Sequence, residues 1–178
     1  RYLFSGSKNV EPFSAAAHAA TVAPPVQAGG NAFDGQVTSG GAYTGSDNKT
    51  YVIKIIAGGA LGTAQYVVSD DGGKEGTWSG VQTDLSAPVN IGNRINVTFI
   101  DNGTTQLAAG DIFSVDALSA GYYNGNGDKP SVEIGKGLTI DYGITGEEVF
   151  TALGPKSVDI FQTLNDLKTG LESNDTDV

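Results

Sequence analysis

The sequence contains no cysteine and no methionine, and its only histidine is His18. Without cysteine there is no disulfide scaffold of the kind small secreted domains use, no Cys/His nucleophile pair and no thiolate metal site. One imidazole also excludes a multi-histidine metal centre within the chain. A Ser–His–Asp triad would have to use His18, which lies in the run Ala15-Ala-Ala-His-Ala-Ala20 with no strand-to-helix nucleophile turn around it. His18 is therefore expected to be an exposed linker residue. The absence of methionine, with Arg1 at the start, reads as a processed or truncated product.

Positive charge is scarce too. Ten Lys and Arg stand against twenty Asp and Glu, giving a net charge of −10. Phosphate neutralisation needs clustered basic residues, and here they are scattered, so neither nucleic acid nor an anionic membrane surface is an expected partner. No run of about 18 apolar residues predicts a helical membrane span, and no secretory signal is visible. The acidity suits a soluble extracellular or densely packed protein.

What the sequence has in abundance is glycine, 26 residues, placed between short runs of Val, Ile, Tyr and Thr. Tight turns joining short strands follow from that spacing. Thr50–Ile56 is apolar on both faces, which predicts a strand buried on both sides. Thr63–Ser69 predicts a second strand. Arg94–Phe99 alternates most cleanly, with Ile95, Val97 and Phe99 inward and Arg94, Asn96 and Thr98 toward water. Asp101-Asn102-Gly103 supplies a tight turn, and Asp111–Asp116 is a further strand. These strands predict a small antiparallel β-sandwich or barrel. Residues 14–30, small and punctuated by Pro and Gly, predict a connector.

The final third changes character. Ser131–Ile134 and Leu138–Tyr142 flank Gly135-Lys136-Gly137 as a hairpin. Thr145-Gly-Glu-Glu148 is a capping box opening a short helix through Val149, Phe150 and Leu153, stopped by Gly154-Pro155. A second helix follows, with Ser157 as its expected N-cap. In it Ile160, Leu164, Leu167 and Leu171 are spaced as a heptad seam, which Val158 and Phe161 widen. No second long helix accompanies it, so its partner is expected elsewhere. The fold class is thus mainly β with a terminal helix, an α+β arrangement.

Candidate chemistry is thin. Asp70, Asp71, Asp101, Asp111, Asp116, Glu147 and Glu148 are carboxylates from which a glycosidase pair would have to come, but most flank glycine or turns, where Asp bonds the local backbone. Asp47-Asn48 and Asp101-Asn102-Gly103 are rich in oxygen yet lack the spacing of a calcium loop. Ser69-Asp-Asp-Gly-Gly-Lys-Glu-Gly-Thr-Trp78 resembles the Asp-box hairpin of β-propellers with two extra residues, and it occurs once. A hairpin whose Trp78 packs on the sandwich is the expectation. Exposed Tyr43, Tyr122 and Tyr123 would suit a sugar-binding platform. No catalytic residue, cofactor site or metal site is expected.

The two ends of the chain carry a resemblance. Arg1-Tyr-Leu-Phe-Ser-Gly6 resembles the motif closing the long N-terminal helix of the hook–filament junction proteins, the hook-associated protein 3 family of the flagellin-like group. Pro12-Phe13, Tyr123-Asn-Gly125, the hairpin Val132–Ile134 to Thr139–Asp141, Thr145-Gly-Glu-Glu-Val-Phe150, Asp159-Ile-Phe161, Leu164 and Leu167 follow that family's order. The resemblance implies a discontinuous core-proximal domain, 1–33 with 119–178, and an inserted variable β domain, 34–118. It implies a structural subunit joining hook to filament, not an enzyme, with hook-associated protein 1 and flagellin as partners. Extracellular location and export through the flagellar type III system are implied as well, and so is self-association of the full-length protein. The long terminal helices of the family are missing, so this chain itself is expected to be monomeric. Ile160, Leu164, Leu167 and Leu171 are the expected assembly interface. Flagellin itself and a carbohydrate-binding or adhesive β module are the alternatives.

Overall fold

The computed structural model describes residues 3–6, 8–101, 104–129, 131–136, 138–151 and 158–173. Strand accounts for 39% and helix for 12% of the described residues, so the chain is mainly β. The strands run β1 (Phe13–His18), β2 (Thr21–Val22), β3 (Val26–Gln27), β4 (Gln36–Gly40), β5 (Lys49–Ala57), β6 (Gln65–Ser69) and β7 (Gln82–Thr83). Then come β8 (Val89–Gly92), β9 (Ile95–Ile100), β10 (Ile112–Leu118), β11 (Gly121–Tyr123), β12 (Ser131–Gly135) and β13 (Leu138–Asp141). Two helices close the order, α1 (Gly146–Phe150) and α2 (Ile160–Ser173). The chain divides into two compact units, Ala19–Ser119 and the discontinuous pair Arg1–His18 with Ala120–Val178.

The continuous unit holds two antiparallel sheets. One has the order β2-β10-β5-β6-β7, with β3 also pairing β10; the other has the order β4-β9-β8. Tyr51, Ile53 and Ile55 alternate along the buried face of β5, and Phe113, Val115 and Ala117 do the same on its neighbour β10. Opposite them, Ile95, Val97 and Phe99 of β9 are buried, as their period of two requires. Phe33, Phe99 and Phe113 pack as an aromatic trio, with Phe99 edge-on to Phe113 at 5.0 Å and 89°. That geometry sets a positive ring edge against a negative ring face. The β8–β9 turn uses Asn93 and Arg94 in the left-handed region, with φ of 44° and 62°. Arg94 is thus a turn residue, and the strand begins one residue later than its alternation predicts.

Two other segments depart from what their sequence predicts. Burial of β5 on both faces holds only in part: Val52 is buried on the outer side, Lys54 is half-buried against Trp78, and Ile56 is exposed. The expected connector 14–30 contains β1, β2 and β3. Its strands are recruited by distant partners, Val22 by Ala117 and Val26 by Ser114, which no local pattern announces.

In the discontinuous unit β1 pairs antiparallel with β11, and β12 pairs with β13. The capping box is formed as its sequence predicts: the Thr145 hydroxyl accepts from Glu148 N–H, and the Glu148 carboxylate accepts from Thr145 N–H. At α2 the carboxylate of Asp159 accepts from Gln162 N–H at 2.9 Å, so Asp159 caps this helix. The Asn102-Gly103 turn, Gly137, Leu153, Gly154-Pro155 and Ser157 lie outside the described residues.

Candidate functional site

The discontinuous unit is built around aromatic side chains drawn from five separate stretches of sequence. Phe13 lies 5.6 Å from Tyr123, 5.2 Å from Phe150 and 4.8 Å from Phe161. Phe4 meets Phe150 edge-on at 5.5 Å, and Tyr122 stacks on Phe161 at 5.5 Å and 25°. Each such pair adds about 0.5–1.5 kcal/mol beyond its area burial, so the cluster fastens chain segments far apart in sequence.

Backbone contacts around Tyr123 tighten the same assembly. The Tyr123 hydroxyl lies 2.9 Å from both Phe4 O and Asn126 O, and its single proton is shared between them. Burial, with the charge of Glu147 adding to it, pushes this phenol far above its ordinary range. Ser5 is fully buried, and its hydroxyl donates to Lys8 O at 2.6 Å. Gly6 has a φ of 66°, and a Cβ there would fall 2.2 Å from Asn126 Oδ1. Gly146 is equally constrained, because its Cβ would stand 2.8 Å from the Tyr123 ring. Glycine at both positions is a steric requirement.

Against this packed centre, α2 presents an uncovered stripe. Ile160, Leu164, Leu167 and Leu171 are 42%, 57%, 50% and 74% exposed. At 100° per residue these four fall within about 60° of one another, whereas Phe161 projects away from the stripe. Phe161 therefore does not widen the seam; it fills the aromatic cluster. Val158 is exposed. The sequence-predicted interface residues thus share one accessible helix face. An open groove of about 440 Å³ runs beside Leu164, between Ala15–Ala17 with Tyr122 on one side and Phe161, Asn165 and Lys168 on the other.

A second apolar face escaped the sequence reading. On the β12–β13 hairpin Val132 stands opposite Ile140, and Ile134 and Leu138 lie on the same side by alternation. All four are exposed, as is Tyr142 just beyond. Ser131, Glu133, Thr139 and Asp141 occupy the other side. The signal for this face is the period of two in Val132, Ile134, Leu138 and Ile140, since alternate residues of a strand share a side.

Most of the other candidate carboxylates bond backbone or side-chain groups close to them. Asp111 is buried and accepts from Ala32 N–H, Phe33 N–H and Ala108 N–H. Asp116 accepts from the Thr50 hydroxyl, and Asp70 from the Lys49 ammonium at 2.7 Å. That ammonium holds the Asp70 carboxyl below its ordinary value, and Lys129 does the same for Glu148. Glu147 is buried within α1. Asp71 pairs with Lys74 in the loop between Ser69 and Trp78. Among the described residues no group of three or more His, Asp or Glu side chains is arranged to hold a metal.

The Ser69–Trp78 loop is a hairpin, as expected. Ser69 and Trp78 bridge antiparallel, and the buried Ser69 hydroxyl accepts from the N–H groups of Asp71 and Gly73 and bonds Thr77. The tyrosine platform is overturned, because Tyr43 and Tyr123 are buried and Tyr122 is stacked on Phe161. Tyr43 donates to Asp47 O, a local bond that folds its ring inward. His18, expected to be exposed in a linker, lies in a strand. It ends β1, pairs with Gly121 and is half-buried.

The fold defines a mainly β protein of antiparallel sheets with a C-terminal helix. Comparison with protein-family models, with curated protein sequences and with solved structures found no match to this chain.

Proposed function

We propose that this chain is the surface-facing part of a structural subunit of the bacterial flagellum, of the hook–filament junction kind, working by subunit packing and not by catalysis. One observation carries the reading. The residues with which the two ends of the chain resemble that family (Phe4, Phe13, Tyr123, Phe150 and Phe161) are the ones that meet in the aromatic centre of the discontinuous unit. Motifs more than a hundred residues apart thus act as one packing unit, which supports reading them together. The exposed face of α2 then supplies the assembly surface, with Leu164 and Leu167 at its middle. A leucine seam at heptad spacing buries about 1.5–3 kcal/mol per side chain once a partner helix covers it. Hook-associated protein 1 on one side and flagellin on the other are the partners this reading assigns, outside the cell after type III export.

Deletion of the gene in its source organism tests the proposal, with electron microscopy of hooks and immunoblotting of the medium. Bare hooks with unassembled flagellin shed into the medium are the expected result. Normal filaments would overturn the reading and favour an adhesive module. Missing filaments with no shed flagellin would identify the filament subunit itself.

A further inference from the structure

The continuous unit carries an open cleft of about 430 Å³ that no assembly role uses. Its volume lies within the roughly 300–1,000 Å³ range of small-molecule sites. The buried residues Tyr51, Val68 and Ile91 form its floor. The strand-β8 side contributes the exposed amides Asn90 and Asn93, the facing loop contributes Thr77 and Ser79, and β7 contributes Gln82. Asp70 and Trp78 also line it, with Gly76 and Gly92.

The chemistry of this lining is selective. Among the described residues that line the cleft none is cationic, and Asp70, the only charged one, accepts from the Lys49 ammonium through Oδ2 at 2.7 Å. Phosphate, sulfate and acidic peptides are therefore disfavoured, the more so on a chain of net charge −10. A purely apolar ligand would strip water from the exposed amides of Asn90, Asn93 and Gln82 and from the Asp70 carboxylate without replacing its bonds. Asn90 Nδ2 donates to Asn96 Oδ1, and its Oδ1 accepts from Gly92 N–H. Gln82 Oε1 accepts from the Tyr66 hydroxyl, and its Nε2 donates to Ser79. Both amides are thereby held in place, each with one N–H and one lone pair left for a hydroxyl group, and Asp70 adds acceptor oxygens. Asn93 Nδ2 already donates to the Tyr51 hydroxyl at 2.7 Å, which fixes that amide and leaves the phenolic proton to donate. Burial raises the Tyr51 phenol above its ordinary value, so this proton stays in place at neutral pH. Tyr51 is 1% exposed, so the half-buried Trp78 ring alone supplies aromatic surface suited to the apolar face of a sugar ring.

We propose that this cleft is a binding site for a short neutral glycan, recognised through Asn90, Asn93, Gln82 and Asp70. The site lies wholly within the continuous unit and does not depend on the flagellar role of the chain. The test uses the intact chain on an array of neutral, sialylated and sulfated glycans, with immobilised peptides alongside. Bound neutral glycans are then titrated by nuclear magnetic resonance. Saturable binding of neutral glycans is expected, with the indole N–H signal of Trp78, the only tryptophan, shifting during titration. Asn90→Ala and Gln82→Ala change exposed side chains, so each should keep a folded spectrum and weaken binding by about tenfold or more. No glycan binding, a preference for acidic glycans or for peptides, or affinity unchanged in both variants would each overturn the assignment.

Discussion

Replacing Asp111 by alanine removes one carboxylate that holds two loops of the sandwich together. Its Oδ1 accepts from Ala32 N–H at 2.7 Å, and its Oδ2 accepts from Ala108 N–H at 2.9 Å and Phe33 N–H at 3.3 Å. The residue is 3% exposed, so water cannot take over these bonds without local opening. Hydrogen bonds to a charged group contribute about 1.5–3 kcal/mol each, but three bonds to one carboxylate are not additive, and its burial is itself costly. A net loss of about 3–4 kcal/mol follows for Asp111→Ala. Asp111→Asn keeps the volume and one good acceptor while setting an NH2 group against a backbone donor, and should lose about 2 kcal/mol.

Guanidinium denaturation followed by Trp78 fluorescence measures this directly, because the only tryptophan lies in the same unit as Asp111. With a dependence of roughly 2–6 kcal/mol per molar denaturant, the alanine midpoint should fall by about 1 M. Asp71→Ala is the reference, since its ion pair with Lys74 is half exposed and worth under about 1 kcal/mol. If Asp111→Ala shifted the midpoint no more than Asp71→Ala, the clamp would be a geometric coincidence.

Thr145→Ala should lower the stability of the discontinuous unit by about 0.5–2 kcal/mol, since it removes the hydroxyl that caps α1; amide exchange at Glu148 would report it. Asp70→Asn should flatten the acid limb of the stability curve. The Asp70 carboxyl is held low by Lys49, so its contribution is present above the unfolded value near pH 4 and is lost as pH falls through the lower folded value. With that side chain 51% exposed, the effect stays under about 1 kcal/mol and shrinks in high salt, which urea melts between pH 2 and 6 would measure. Leu164→Asp with Leu167→Asp should leave the isolated chain within about 0.5 kcal/mol of the parent, because both side chains are exposed. The same pair should abolish assembly of the full-length protein, scored by filament length in complemented cells; normal filaments would remove α2 from the interface.

The parts of this fold that were legible are those whose causes are local. Ile95, Val97 and Phe99 announce β9 because alternation and burial coincide on one strand. Thr145 and Glu148 announce α1 because a capping box is complete within four residues. Ile160, Leu164, Leu167 and Leu171 share a helix face by spacing alone, and their exposure adds only that nothing among the described residues covers them. The misses share the opposite property. Phe13–His18 is a strand whose alanines have no alternation, and it is a strand only because Tyr123 and Gly121 pair with it more than a hundred residues later. Tyr43 is drawn inward by a hydroxyl bond to Asp47 O that composition does not foretell.

The candidate sites divide along the same line. The helix stripe needs one periodic segment, so a sequence can display it. The cleft beside Tyr51 takes its walls from β5, β6, the loop before β7, β7 itself, and β8 with the turn after it, pieces that only the sheet order brings together. None of its amides has a distinguishing neighbour in sequence, and Asn90, Asn93 and Gln82 read singly as ordinary surface residues. Their common meaning arises from tertiary placement: polar side chains converge on a concave surface whose floor is buried and whose lining holds a single charge. A surface serving solubility alone would scatter those groups over convex ground. Convergence of uncharged donors and acceptors is what separates a recognition site from a solvated face, and it is the property the glycan titration measures.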